Sequence, residues 1–304
     1  MRCGERYGAD RPDDLVETAM TQEFAPDITL SEMFRRAVRR PLGGADSNVE
    51  RFVLAVASVW LAPGDFTVDL GANHGQHARV LASRVGPGGH ALLVEADPTL
   101  AADLDRGARD STVPISVVNQ AVGDADMPSL TFYRHPTLDQ EGSLFRRADV
   151  GGYEEIQVDG SSLDALLADL PAPRFVKIDV EGAEFSVLRG AAKLLALASP
   201  LIACELSYDV EVASPGGVNY TMRDMGELLS SAGWSLYALD GSRIPPDELN
   251  DSGFGYHYQV WIARDGSPAA MFLDATVPVM ASAFAWGATT TPPYPFHLDK
   301  HPVR

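Results

Sequence analysis

The stretch VDLGANHGQH, residues 68–77, decides how this chain is read. It begins like a buried strand and then breaks into two glycines, Gly71 and Gly75, separated by Ala72, Asn73 and His74, with Asp69 just ahead of the break. In an open α/β sheet, ligands bind outside the carboxyl ends of the strands, so the loop after a first strand is a natural ligand contact. The dinucleotide fingerprint G-x-G-x-x-G is incomplete here, because the middle glycine that admits a pyrophosphate is missing, and no Gly-Lys-Ser/Thr closes the run as a phosphate loop requires. An acid at the strand end repels phosphate and attracts an ammonium or a sulfonium. That chemistry points to S-adenosylmethionine. The plainer alternative is a strand-to-helix turn in which Asp69 caps backbone amides.

A second apolar run, HALLVEADP, ends in Glu95, about twenty residues beyond Gly75, the spacing at which an acid hydrogen-bonds the ribose hydroxyls of an adenosine cofactor. Taken alone, Glu95 would read as a surface carboxylate at a strand end; its register with the glycine turn favours the ribose. Asp97 and Pro98 follow in the order of a helix cap and first turn, which makes Asp97 structural.

Working outward, residues 48–60 place Val49, Phe52, Val53, Val56, Val59 and Trp60 on one helical stripe, and Pro63 and Gly64 stop it. Short runs of strand type follow: DFTVDL, HALLVEA, PISVVNQ, SLTFY, EIQVDG, RFVKIDV, PLIACEL, WSLYAL and YQVWIA. Helical patterns separate many of them, which indicates an α/β fold with a mostly parallel sheet and helices on both faces. The expected division is a helical appendage over 1–47, one cofactor-binding domain over 48–264 and a C-terminal extension over 265–304.

The 304 residues, 45% of them hydrophobic, suffice for a substantial core. A formal charge of −18 argues against nucleic-acid binding, which draws its affinity from Lys and Arg on phosphates, and favours a small-molecule partner. No run reaches the length of a membrane span or a signal peptide, so the expected address is the cytoplasm, away from membranes. Two cysteines, Cys3 and Cys204, are too few for a disulfide framework and are expected as free thiols. A homo-oligomer is compatible with all of this.

Six pieces of the chain, in order, resemble the FkbM-type methyltransferases: VDLGANHG, VEADP, NQAVGDADMPSLTFY, VDGSSLDALL, FVKIDVEGAEFSVLRGA and PLIACEL. They span about Val68 to Leu206. The resemblance implies the Rossmann-like class I methyltransferase fold: a seven-stranded sheet, parallel except for one reversed strand, with WSLYAL and YQVWIA as the closing pair. It also implies that Asp69, Gly71, Asn73 and Gly75 surround the methionine portion of the cofactor and that Glu95 holds its ribose. The backbone at Ala121 and Val122 would run beside the adenine, with Asp124 either a partner for its amine or half of a Gly-Asp turn. His74 would face the substrate or merely cover the cofactor.

Methyl transfer from a sulfonium is an in-line displacement, so the protein's work is to hold the acceptor close, and an alcohol acceptor also needs a base. KIDVEG supplies Asp179 and Glu181, expected on one side if the strand continues, and Glu205 ends the next strand. Asp179 would hold the methionine ammonium while Glu181 or Glu205 takes the acceptor's proton. In a second version the acids coordinate Mg²⁺ and acidify a bound hydroxyl. The metal-free version is preferred. Glu184 reads as a helix cap, Lys177 as a neutraliser of a neighbouring acid, and Gly190 as a helix break or close backbone contact. Residues 135–153, with His135, Arg146 and Arg147, form a candidate lid; Tyr256 and His257 are candidates for the acceptor side. The competing readings are an NAD-dependent oxidoreductase, disfavoured by the missing glycine, and a non-catalytic cofactor-binding module.

Overall fold

The computed structural model describes residues 46–135, 142–146, 152–206, 222–245 and 258–284. Eight strands form one sheet: β1 (Phe66–Leu70), β2 (His90–Glu95), β3 (Ile115–Asn119), β7 (Phe175–Ile178), β8 (Leu201–Leu206), β9 (Trp234–Tyr237), β10 (Arg243–Ile244) and β11 (Tyr258–Arg264). Their spatial order is β10-β9-β11-β8-β7-β1-β2-β3. The strands from β3 to β8 in this order pair in parallel. β11 then slots in antiparallel to both β8 and β9, so the two late runs do pair antiparallel. The eighth strand beyond the expected seven is β10, two residues that pair antiparallel on the outer edge of β9.

Every residue of β1 is buried, as expected of a central parallel strand covered on both faces. One face packs against α1 (Asp46–Trp60) and α2 (Gln76–Val85): Phe52, Val53, Val56 and Trp60 meet Phe175, Ala203 and Trp261. The Trp60 indole donates to the Arg174 carbonyl at 2.9 Å, and the Arg174 guanidinium lies 3.6 Å above its ring, which fixes this end of α1 to the sheet. The other face carries Val68, Leu70, Val176, Ile178, Ile202 and Cys204 under α5 (Glu184–Arg189), α6 (Ala192–Leu197) and α7 (Met222–Ser231).

The sequence gives no sign that SLTFY and EIQVDG leave the main sheet. They form β5 (Met127–Arg134) and β6 (Glu154–Ser162), an antiparallel pair that joins β4 (Ala121–Gly123) in a separate three-stranded sheet. Nor does the core end at residue 264. In α8 (Pro268–Ala275) and α9 (Val277–Ala283), Ala269, Leu273, Val277 and Met280 join the α1-side core, together with Phe284 just beyond. Residues 1–45, with most of the expected appendage and Cys3, and residues 285–304 lie outside the described residues. Cys204 is a free, buried thiol. Among the described residues no helix is long and apolar enough to cross a membrane.

Candidate active site

The turn after β1 is built on three left-handed residues, Gly71 (φ 75°), Asn73 (φ 47°) and Gly75 (φ 74°). Glycine is required at 71 for a second reason: a Cβ there would lie 1.7 Å from the carbonyl oxygen of Asp179. The loops after β1 and β7 therefore touch through bare backbone, and Asp179 N donates to the Leu70 carbonyl at 3.1 Å. The Asn73 amide donates to Glu95 Oε2 and the Asp97 amide to Glu95 Oε1, both at 2.8 Å. Glu95 is thus fixed between two loops, and burial pushes its carboxyl up despite those bonds. Asp97 caps α3 (Pro98–Ala108), accepting from the Thr99 amide at 2.7 Å. Asn119 on β3 donates to the Glu95 and Ala96 carbonyls and steadies the same loop, a support the sequence reading missed.

Asp69 is 1% exposed, and neither of its carboxylate oxygens has a hydrogen-bond partner. It does not cap the turn, so the capping alternative for this residue fails. Burial pushes its carboxyl up; Lys177 and His77 pull the other way. An orphaned buried carboxylate beside a glycine turn, with a second acid held at the end of β2, suits a ligand carrying both a cationic centre and hydroxyls.

Lys177 is 2% exposed and donates to Asp179 Oδ2 at 2.6 Å, the neutralising role expected of it. Burial disfavours its charge, but Asp179, Asp69 and Glu50 outweigh burial and hold it protonated. Beside Asp179 stands Glu205, whose carboxylate accepts from the Gln259 amide at 2.5 Å. The third member of the group is Glu50 of α1, not Glu181. Ligand-capable oxygens of Glu50, Asp179 and Glu205 all lie within 4.8 Å of one another. Glu50 Oε2 is 2.5 Å from His77 Nε2. Burial works against its ionisation, yet His77 and Lys177 prevail and hold its carboxyl below the usual range.

Glu181 departs from the expected geometry because β7 ends at Ile178, so strand alternation does not extend to it. Its backbone is left-handed (φ 52°), and its carbonyl accepts from Ser143 Oγ. That bond ties the described part of the candidate lid to the loop after β7. Glu184 stands in the first turn of α5 but accepts from the Gly182 amide at 2.9 Å and the Val180 amide at 3.3 Å, so it ties down the preceding loop, while the helix itself, begun at Ala183, has no side-chain cap; burial pushes the Glu184 carboxyl up to about 7. His74 is exposed, and the histidine that meets the acids is His77, one helical turn further on. Ala121 and Val122 are buried in β4. Asp124 faces Arg189 at 3.4 Å, next to Gly190, where a Cβ would lie 2.1 Å from the Gly123 carbonyl oxygen. Gly190 ends α5, as its expected break and close contact require. His135 meets Tyr153 edge-on at 5.9 Å and Arg146 is exposed. Arg147, Tyr256 and His257 lie outside the described residues.

With this geometry in place, comparison with known proteins is informative at the level of family. Residues 69–232 match the model of the methyltransferase FkbM domain. No curated protein matches the chain. Among solved structures, methyltransferase FkbM from Methylobacillus flagellatus KT is 16% identical with a TM-score of 0.38, covering 76% of this chain and 58% of its own, so this chain spans less than two thirds of that protein. A SAM-dependent methyltransferase from Aquifex aeolicus is 12% identical (TM-score 0.37, 78% and 98% covered). Aeropyrum pernix fibrillarin, solved with natively bound S-adenosyl-L-methionine, is 16% identical (TM-score 0.38, 71% and 76% covered).

Proposed function

We propose that this chain, which belongs to the FkbM methyltransferase family, is a methyltransferase dependent on S-adenosylmethionine and that it methylates an oxygen of a small-molecule metabolite or a sugar-bearing natural product. One observation carries the choice of oxygen: Glu50, Asp179 and Glu205 converge within 4.8 Å at the carboxyl end of the sheet, beside the orphaned carboxylate of Asp69. When bound, the cofactor supplies a methyl group on a sulfonium. Asp69, Gly71, Asn73, Gly75 and Asp179 would hold its methionine portion and Glu95 its ribose. The main chain of Ala121 and Val122 would border the adenine; Asp124, which faces Arg189, would at most mark the edge of that subsite.

What this chain adds is a set of carboxylates that receive an acceptor hydroxyl and draw off its proton. Gln259 orients Glu205 and Lys177 orients Asp179, so both stand fixed before an acceptor arrives. An amine or carboxylate acceptor has no comparable use for a cluster of acids, since a carboxylate would be repelled and an ammonium would be held in its non-nucleophilic form.

The test is a turnover screen with isotopically labelled methyl donor against alcohols, sugars, carboxylic acids and amines, read by product mass. Label appearing on hydroxyl oxygen supports the reading. Label confined to nitrogen or carboxyl products would overturn the choice of oxygen, and tight NADH binding with no response to S-adenosylmethionine would overturn the donor.

A further inference from the structure

The carboxylates at the sheet end outnumber the cations that face them. Asp69, Asp179, Glu50 and Glu205 converge on one side of the sheet, and among the described residues the charge set against them is the ammonium of Lys177, with His77 adding to it only when protonated. Like charges so placed repel unless a cation or protons lie among them.

The register of the sheet explains how they meet. Asp69 pairs with Lys177 across β1 and β7, and Ile178 pairs with Cys204, which sets Asp179 beside Glu205; Glu205 in turn pairs with Gln259. All five project from the face that α1 covers, and α1 delivers Glu50 to the same place. Each of the three clustered carboxylates is faced by a group from a different element: the His77 ring lies against Glu50, Lys177 donates to Asp179 and Gln259 donates to Glu205. Outer groups of this kind orient carboxylate ligands around metals.

Two further observations point to a missing positive partner. Asp69 is 1% exposed with both oxygens unpaired, and its charge is coupled to Asp179 and Glu50. The amide oxygen of Gln259 is likewise buried and unpaired, beside Glu205. Both are acceptors without donors, the condition a hard cation relieves.

We propose that Glu50, Asp179 and Glu205 form a binding site for a hard divalent cation of the Mg²⁺, Mn²⁺ or Ca²⁺ class. Such ions hold oxygen ligands at about 2.0–2.6 Å, so oxygens on opposite sides of one stand roughly 4–5 Å apart, the span of this group. Three protein ligands leave coordination positions for water and for an acceptor oxygen. This proposal departs from the metal-free preference drawn from the sequence, and it takes Glu50 in place of Glu181. The cation's use, orienting and polarising an acceptor hydroxyl, rests on the methyltransferase reading; its binding does not.

The experiment titrates chelator-treated, desalted full-length protein with MnCl₂ and follows the electron paramagnetic resonance signal of free Mn²⁺. One equivalent should bind and be displaced by Mg²⁺ or Ca²⁺. Glu50→Gln and Glu205→Gln should each weaken binding by about tenfold or more, while Glu155→Gln, an exposed acid on β6, should leave it unchanged. Circular dichroism checks that each variant folds. If either glutamine variant does not, Glu205→Asp, which keeps the charge but withdraws it by one methylene, takes its place with the same expected weakening. Absence of Mn²⁺ binding up to about 1 mM would overturn the site, leaving Lys177 and bound protons to balance the acids. So would binding undiminished in the variants. Calorimetry with S-adenosylhomocysteine on the same samples separates the two ideas. If Mn²⁺ binds and the nucleoside does not, the cation site stands and the methyltransferase reading falls; the opposite result withdraws the cation alone.

Discussion

Gly71→Ala tests whether the glycine turn is shaped by the protein or by its ligand. In the dinucleotide motifs that this turn resembles, glycine serves close approach to a cofactor. Here the obstacle to a side chain is internal, because the added Cβ would sit 1.7 Å from the Asp179 carbonyl oxygen and 2.9 Å from its carbon. Two costs follow. A left-handed alanine loses about 1–2 kcal/mol. The overlap cannot be relieved by a rotamer change, because the obstacle is backbone, and forcing apart the β1 and β7 loops costs about 1–3 kcal/mol. The sum is roughly 2–5 kcal/mol. With a urea dependence of about 3 kcal/mol/M for a domain of this size, the unfolding midpoint should fall by about 1 M. Gly233→Ala is the control: it has the same φ of 75° and nothing within 4 Å of the added atom, so it should show only the conformational part, about 1–2 kcal/mol. The assay is urea unfolding of ligand-free protein, followed by circular dichroism. Equal losses in the two variants would refute the backbone contact between the loops.

Two other predictions bear on the acids. Glu184 is buried, and its carboxyl is pushed up to about 7 from an ordinary 4.5, so the folded state keeps a proton that the unfolded chain releases. Between these values stability should fall as pH rises, by about 3 kcal/mol from this group alone, and Glu184→Gln, which retains an acceptor for the Gly182 amide, should lose that slope; identical pH profiles of urea unfolding for parent and variant from pH 4.5 to 8 would count against it. Glu95→Gln should weaken S-adenosylhomocysteine binding by about 10–100-fold, the worth of a charged hydrogen bond, and unchanged affinity by calorimetry would remove Glu95 from the ribose site.

Some of this arrangement was legible in the amino-acid order and some was not, for identifiable reasons. Strands β1, β2, β7 and β8 announce themselves because a parallel strand buried on both faces is a short, nearly continuous apolar run, and an acid at its end stands out. The runs in β5 and β6 look the same locally, and nothing in them says which edge they will pair with. Glu181 was misplaced because alternation was carried past Ile178, where the chain leaves the strand and turns left-handed. Glu50 carries a signal of its own in the sequence. It lies three and seven residues before the buried Val53 and Ala57, so it falls on the inward stripe of α1. An acid on a buried stripe calls for a partner. His77 stands four residues before the buried Leu81 and carries the same message from α2.

What no local pattern can supply is the register between strands more than a hundred residues apart. Asp69 and Lys177 are opposite one another because β1 and β7 pair at that offset, and the same offset brings the Asp179 carbonyl against Gly71. A slip of one residue would turn Lys177, and Asp179 just beyond the strand, to the α5 side and bring Val176 and Ile178 to the face that now holds charge. The apolar alternation of these strands therefore does two things at once. It selects the register that buries Val68, Leu70, Val176, Ile178 and Cys204 against α5 and α6, and that register gathers the acids opposite. Burial of the apolar face is thus what holds mutually repelling carboxylates together, and it explains how a site so short of positive charge can be assembled before any ligand arrives.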